Sequence, residues 1–303
     1  MTEIAVCFPL TDSQMKRLEA GTVGHTVKVL DPEEPCKSPI VFGNPESDVI
    51  AANSSLRWLQ LESVGLGEYL AVDWMRPAGT VKVTNLAGMF ANPAAESALA
   101  GILALYRVID QLVNLQARTK WQGGALRPQM RQLFGARVVL FGYGSINRRL
   151  AEMLAPFSCT VTPLASNWTK ETLNSALSTA DIVVSTVPAM PLTENVFDAA
   201  RFAAMPTGAI FCNFGRGSAV DEPALDTALR AGHLGGAVID VTRQEPLPHD
   251  HPFWTCPNLL LTQHSGGGTS DEIERKIDYF LANLAHFHTG RPMTGLVNFS
   301  RGY

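Results

Sequence analysis

The 303-residue chain reads as an α/β protein: a doubly wound parallel sheet with a second, smaller α/β lobe. Three observations predict this. Segments such as 4–8 and 138–141 are continuous apolar runs, the pattern of strands covered on both faces. Between such runs lie segments whose apolar residues recur at helical spacing. The length, at about 150 residues per domain, suits two domains.

Composition narrows the class. Twenty-four basic and 28 acidic side chains give a formal charge of −4, with no electrostatic footprint for nucleic acid or an anionic membrane. Hydrophobic residues at 46% and charged residues at 17% describe a globular chain. The five cysteines (Cys7, Cys36, Cys159, Cys212, Cys256) are odd in number and form no CxxC, so they read as buried thiols of a reducing compartment. The longest apolar run, 97–106, is too short to span a bilayer, and Glu3 with no basic stretch argues against a secretory signal. A cytoplasmic protein is expected.

The elements follow in order. Residues 4–8 form a strand and 12–18 a helix; 26–30, 48–51 and 56–61 read as further strands. The segment 31–43, rich in proline and acid, reads as a loop. A long linking helix starts at Asn92-Pro93, a good N-cap before a residue suited to the first helical position. Leu99, Ile102, Leu103, Tyr106, Ile109 and Val113 continue it at helical spacing, and 121–130 is a loop. From residue 137 a regular beat begins. Strands at 138–141, 159–162, 181–187, 209–214, 237–241 and 258–262 are interleaved with helices at 146–154, 170–177 and 222–231, the last capped by Asp221. The final helix opens on a capping box, Thr269 with Glu272, and closes at Gly290.

Chemistry enters at a glycine turn. Gly142-Tyr143-Gly144-Ser145-Ile146-Asn147 stands where a strand hands over to a helix. Its glycines allow a tight turn and close approach of backbone to a pyrophosphate, which a helix N-terminus stabilises. Inside a βαβ beat this favours dinucleotide binding over an ordinary turn. Asn147 replaces the third glycine, so a helix–strand contact that is looser or shifted is expected. About twenty residues on, an NAD site carries an acid for the adenosine ribose, yet 155–170 holds no carboxylate. Ser166 and Asn167 suit a 2′-phosphate, with Lys170 or Arg148 supplying positive charge. NADP is therefore expected ahead of NAD, the other reading being a loosely specified NAD site.

Three further residues stand at strand ends: Arg216, Glu245 and His264. Taken singly they also read as a surface arginine, a loop acid and a backbone-satisfied histidine. Together they fit ketone reduction. A histidine paired with a carboxylate is held in one tautomer, with its acidity weakened toward the role of proton donor. An arginine offers a planar fork to a carboxylate and charge to a carbonyl oxygen.

Val187-Pro188, Asn213-Phe214-Gly215-Arg216-Gly217, Asp240-Val241-Thr242-Arg243-Gln244-Glu245-Pro246-Leu247 and Thr262-Gln263-His264 resemble the signature blocks of the D-isomer-specific 2-hydroxyacid dehydrogenase family. The resemblance runs from about residue 56 to 303. It implies a Rossmann-type dinucleotide-binding domain at 97–276 and a flavodoxin-like substrate domain made discontinuously from 1–96 and 277–303. By resemblance, Arg216 binds the 2-keto acid, His264 is the acid/base and Glu245 its partner. Asp240, with the backbone of Phe214 and Gly215, faces the nicotinamide carboxamide; Val187, Pro188 and Gly266 also line the cofactor. Ser63-Val64-Gly65 resembles the loop whose amides hold the substrate carboxylate, and Ala95-Glu96 matches the linking helix. Gln263 departs from the family's usual proline before the histidine. The implied activity is NAD(P)H-dependent reduction of a glyoxylate- or hydroxypyruvate-like 2-keto acid to a 2-hydroxy acid, by a homodimer. The alternative is a dinucleotide-sensing co-regulator on the same fold.

Other features read as structural. His249-Asp250-His251 lacks a third ligand cluster and reads as a surface loop, and His286 and His288 fall on different helix faces. Met190 and Met205 read as packing residues. Trp254 and Phe90 read equally as walls of the substrate pocket and as packing.

Overall fold

A computed structural model describes residues 2–76 and 79–299. The chain divides into two compact units, Met1–Met89 with Thr269–Tyr303, and Phe90–Gly268. Residues 300–303 of the expected substrate domain lie outside the described residues.

The first unit holds strands β1 (Thr2–Cys7), β2 (His25–Val29), β3 (Ile40–Gly43), β4 (Trp58–Gln60) and, after a short β5–β6 ladder (Met75–Arg76 with Gly79–Thr80), β7 (Lys82–Thr84). The order β2-β1-β3-β4-β7 is parallel throughout, the flavodoxin-like arrangement. Helices α1 (Asp12–Gly21) and α2 (Ser47–Ala52) connect the strands. Successive strand residues serve opposite faces. Ile4, Val6, Ile40, Phe42 and Trp58 pack with Leu18 of α1 and with Ile277, Phe280 and Leu284 of the C-terminal helix Glu272–Thr289. Ala5, Cys7, Val41, Leu59 and Val83 pack with Ile50 of α2 on the other face. A buried polar chain pins the C-terminal helix: Trp58 Nε1 donates to Thr84 Oγ1 (2.8 Å), which donates to Gln60 Oε1 (2.8 Å), which also accepts from Asn283 Nδ2 (2.9 Å).

The second unit holds α3 (Ala91–Tyr106), α4 (Ile109–Ala117), α5 (Gly123–Leu126), β8 (Arg137–Phe141), α6 (Ser145–Leu154), β9 (Thr160–Leu164), α7 (Lys170–Leu177), β10 (Ile182–Ser185), α8 (Ala199–Ala204), β11 (Ile210–Asn213), α9 (Glu222–Arg230), β12 (Gly236–Ile239) and β13 (Leu259–Leu261). Its parallel sheet runs β13-β12-β11-β10-β8-β9, so the strand order reverses at β8, between β9 and β10. One face, with Phe141, Val183, Phe211 and Ile239, packs on α7, α8 and α9 through Leu173, Phe202, Leu225 and Leu229. The other, with Val138, Leu140, Val184, Cys212 and Val238, packs on α3 and α6 through Ala98, Ile102, Leu150 and Leu154. This is the doubly wound arrangement, whose ligand crevice opens at the carboxyl ends of the strands at the reversal.

Several expectations need correction. Segment 48–51 is helical, not a strand, and lies within α2. The segment 31–43 is not all loop: 40–43 is the fully buried β3. The long helix is two, α3 and α4, bent by 71° at a left-handed Val108 (φ 50°). It begins at Ala91, so Asn92 lies within its first turn instead of capping it; Pro93 is there too, where its missing N–H had no helical partner to lose. Residues 123–129 carry a short helical turn. The capping box at Thr269 does not form: the C-terminal helix starts at Glu272 behind Asp271, with no side-chain cap. The dividing points fall at 89/90 and 268/269, not at 96/97 and 276/277, because α3 packs on the second sheet from its first turns and the C-terminal helix packs on α1. All five cysteines are free thiols, Cys159 half-buried and the others buried. Burial pushes the Cys7 and Cys256 thiols up to about 12. No single helix among the described residues is long and apolar enough to cross a membrane.

Candidate active site

The glycine turn caps β8. Gly142 (φ 85°) and Tyr143 donate their N–H groups to Leu164 O at 2.9 and 3.2 Å, which ties the turn to the end of β9. A Cβ at Gly142 would stand 3.0 Å from the Thr186 and Val187 backbone, whereas at Gly144 it would meet nothing within 4 Å. The open position lies at the start of α6, which has no side-chain cap and no acid in its first turn. Ser145 is exposed and Ile146 half-buried. This cradle fits a pyrophosphate, drawn by the amides that open α6 and the positive end of its helix dipole.

Asn147 does not loosen the contact, as had been expected; it fills it. The side chain is fully buried, and its Nδ2 donates to Phe141 O, Gly142 O and Val184 O at 3.1, 3.1 and 3.2 Å. A third glycine allows helix and strand to approach; here one amide bonds helix α6 to β8 and β10 instead.

Ser166, Asn167 and Lys170 are all exposed just beyond β9, the strand bonded to the glycine turn. Lys170 opens α7 behind the capping Thr169. The Arg148 guanidinium lies 5.8 Å over the Tyr143 ring, a cation beside the turn itself. No carboxylate occurs between 155 and 170 to oppose an anion here.

The other expected cofactor residues gather at the ends of β10 to β13. Phe214 N–H donates to Ser185 O (2.9 Å), and Gly215 lies so close to Val187 that a Cβ would stand 2.5 Å from its carbonyl oxygen. Pro188 O accepts from Thr193 Oγ1 at 2.7 Å. Asp240 is buried; its Oδ1 accepts from Gly266 N (2.9 Å) and Thr262 Oγ1 (2.5 Å). A Cβ at Gly266 would fall 2.9 Å from the Phe214 ring.

The reactive set lies in the same unit. His264 Nδ1 donates to Glu245 Oε2 at 2.6 Å, and Glu245 Oε1 accepts Thr242 N–H at 2.9 Å. The bond at Nδ1 leaves Nε2 without a hydrogen bond among the described residues, on a ring whose side chain is 55% exposed. His264 and Gln263 are both left-handed (φ 54° and 53°), a conformation a proline at 263 could not adopt. Arg216 donates Nη1 to Gly215 O at 2.7 Å. Burial lowers its guanidinium below the usual arginine value, while the charge of Glu245 works in the opposite direction.

Ser63, Val64 and Gly65 belong to the first unit. Their carbonyls are all engaged: Ser63 O accepts from Leu86 N (3.0 Å), Val64 O from Asn85 Nδ2 (2.9 Å) and Gly65 O from Ser63 Oγ (3.1 Å). The amides of Val64 and Gly65 have no such partner among the described residues, an arrangement suited to a carboxylate.

Sequence reasoning missed the supporting residues. Asn213 bonds Gly215 N and Arg216 O, Thr262 anchors Asp240, Thr242 orients Glu245 and Asn85 pins the 63–65 loop. Asn213, Thr242 and Thr262 lie inside the signature blocks, so their position was marked though their partners were not. Of the two methionines read as packing residues, Met205 is buried and Met190 is 37% exposed; of the two aromatics left open between pocket wall and packing, Trp254 is 44% exposed and Phe90 lies against Gly267.

Comparison with known proteins agrees with this geometry. The family model described as D-isomer specific 2-hydroxyacid dehydrogenase, NAD binding domain, matches residues 99–266. The chain is similar to glyoxylate/hydroxypyruvate reductase A of Yersinia enterocolitica, 29% identical over 218 residues, 69% of this chain and 68% of that one. It is similar to hydroxyphenylpyruvate reductase of Plectranthus scutellarioides, 29% identical over 256 residues, 82% and 80% of the two chains. A D-isomer specific 2-hydroxyacid dehydrogenase from Xanthobacter autotrophicus Py2, solved with NADPH and MES, matches with a TM-score of 0.82 at 26% identity, covering 100% of each chain. The matched span takes in the glycine turn, Arg216, Glu245 and His264, and the chain belongs to the D-isomer specific 2-hydroxyacid dehydrogenase family.

Proposed function

We propose that this dehydrogenase reduces a small, glyoxylate- or hydroxypyruvate-like 2-keto acid to its 2-hydroxy acid and takes NADPH in preference to NADH. The observation that carries the reading is the 2.6 Å bond from His264 Nδ1 to Glu245, which leaves Nε2 to face a substrate. Gly142, Tyr143, Gly144 and the first turn of α6 hold the pyrophosphate, Ser166, Asn167 and Lys170 receive the 2′-phosphate, and Val187, Pro188, Phe214, Gly215, Asp240 and Gly266 line the nicotinamide. The bound nicotinamide supplies the hydride. His264 Nε2 gives its proton to the keto oxygen, and Glu245 stabilises the imidazolium before transfer. Arg216, half-buried and therefore acting at reduced screening, draws the carbonyl oxygen and the substrate carboxylate. The family resemblance assigns the amides of Val64 and Gly65, in the first unit, to a substrate carboxylate. The similar reductase from Yersinia and the NADPH complex from Xanthobacter support the substrate class and the cofactor.

The test is direct: purified protein, NADPH or NADH, and a panel of 2-keto acids, followed by nicotinamide absorbance. Reduction of glyoxylate or hydroxypyruvate with NADPH the faster cofactor is expected. No turnover with any acid overturns the reading, and an NADH preference overturns the cofactor assignment.

We also propose a homodimer formed through the second unit. Helix α4 buries none of its residues, and Ile109, Val113, Trp121 and Phe134 are 46%, 56%, 103% and 66% exposed. Sedimentation analysis giving a monomer at assay concentration would refute it.

A further inference from the structure

We propose that Glu222 and Arg243 are positioning residues that set the direction of Glu245, with His251 completing the clamp. The kinetic consequence rests on His264 being the proton donor; the geometry does not.

Glu245 stands on an irregular stretch between the end of β12 and the 3₁₀ turn at Pro252–Thr255. No ladder or helix fixes that stretch, and a carboxylate on a free loop would turn toward water. Its direction is instead set by the backbone of 242–245, through Thr242 N–H on Oε1, with Thr242 Oγ1 donating to Gln244 O at 2.8 Å.

Two residues grip that backbone from outside. Arg243 donates Nη1 to Glu194 Oε1 (2.8 Å) and Nη2 to Asn195 Oδ1 (2.5 Å) and Ser218 O (3.0 Å). A planar fork reaching three acceptors in two separate segments holds its own Cα in one place, which a point charge does not. The Arg243 N–H donates to Glu222 Oε1 at 2.8 Å. Glu222 opens α9 and is only 7% exposed, a position carboxylates rarely occupy without partners. Its Oε2 lies 3.4 Å from His251 Nε2, and His251 Nδ1 accepts the Phe253 N–H at 3.3 Å, so the ring points its Nε2–H at the acid. One buried carboxylate thus ties residues 243 and 251, on either side of Glu245, to the same helix. The ring of the His-Asp-His run set aside as a surface loop is the far post of this clamp. The clamp needs an acceptor at Arg243 N–H more than it needs a charge.

The test uses histidine-labelled full-length protein without cofactor or substrate, at a pH where its rings are neutral. Long-range proton–nitrogen spectra report which ring nitrogen carries the proton, and the His264 signal is assigned by its loss in His264→Gln. The native protein is expected to show His264 as the Nδ1–H form. Glu222→Ala and Arg243→Ala are expected to convert it to the Nε2–H form favoured by free histidine. In both, kcat for the 2-keto acid should fall by about tenfold or more with KM held within about threefold, since a displacement of about 1 Å costs on the order of 10²-fold. Glu222→Gln keeps the acceptor for Arg243 N–H and gives up only the one for His251 Nε2–H, so it should stay close to the native protein and clearly apart from Glu222→Ala in both readouts. An unchanged tautomer and kcat in the alanine variants overturns the proposal, as does Glu222→Gln behaving like Glu222→Ala. Tautomer shifts in a protein that reduces no 2-keto acid would uphold the clamp and reject the reductase assignment.

Discussion

Gly217 lies against the backbone of Thr242 so closely that a Cβ there would stand 2.0 Å from the Thr242 carbonyl carbon. The turn after Arg216 and the segment leading to Glu245 therefore share one joint. Gly217→Ala is expected to cost about 1–3 kcal/mol by forcing the two backbones apart, and to lower kcat by displacing Arg216 and Glu245 together. Urea unfolding and steady-state kinetics check this; an alanine variant with native midpoint and kcat would show that the joint yields.

His264→Ala should lower kcat by roughly 10²–10⁴-fold, the range for losing a general acid. NADPH affinity, read by nicotinamide fluorescence, should stay within about twofold because His264 touches none of the glycine-turn residues. Glu245→Gln should cost less than His264→Ala, since the amide can still accept from Nδ1 but carries no charge to offset the imidazolium.

Replacing Asn147 by the glycine usual at its position should harm the protein. Its bonds to three carbonyls are lost, while Phe141 O keeps the Thr186 N–H and Gly142 O keeps the Gly144 N–H. The expected cost is about 1 kcal/mol for the lost bonds and about 0.5–1 kcal/mol for glycine inside a helix. Thermal melting of Asn147→Gly should show the loss; a variant as stable as the native chain would mean that water replaces the amide at no cost.

Ser166→Asp places a negative charge beside the site assigned to the 2′-phosphate and offers a ribose acceptor. The ratio of kcat/KM for NADPH over NADH should fall on the order of tenfold or more, about 1.4 kcal/mol. An unchanged ratio would move the 2′-phosphate away from Ser166.

The Arg137 guanidinium holds the Asp181 carboxyl below the usual aspartate range, aided by the Arg137 N–H at 2.9 Å. A depressed folded-state pKa means stability that is present above the unfolded value, near 3.8, and lost as pH falls through the folded one. Arg137 is 51% exposed, so solvent screening keeps this contribution small. Asp181→Asn should lower Tm slightly at pH 7 and not at all in strong acid. A gap that persists in acid would assign the effect to packing.

The alternation of apolar strands and amphipathic helices announced both sheets, because the inner strands of the second unit, β8, β10, β11 and β12, are buried on two faces and read as apolar runs. It failed where the signal was local and short. Segment 48–51 has only Val49 and Ile50 to mark it, too few to separate a strand from a helical turn. Strand β3 was masked by the prolines and acids before it, although Ile40-Val41-Phe42 is apolar throughout. The break after α3 depends on Val108 at φ 50°, a conformation that valine's own preference opposes and tertiary packing imposes. In the site, Arg216, Glu245 and His264 were marked by residue type and by their place at strand ends. Glu222 was not, since its bond to Arg243 spans 21 positions and nothing in either neighbourhood signals it.

The 63–65 loop spends every carbonyl on internal bonds and leaves the Val64 and Gly65 amides without a partner among the described residues. Recognition by main-chain groups is indifferent to side-chain identity, so on the proposed reading Val64, itself 37% exposed, is a position where substitution would leave the hold on the substrate carboxylate intact. On that reading, anchoring of the acid and discrimination among acids would be inherited separately.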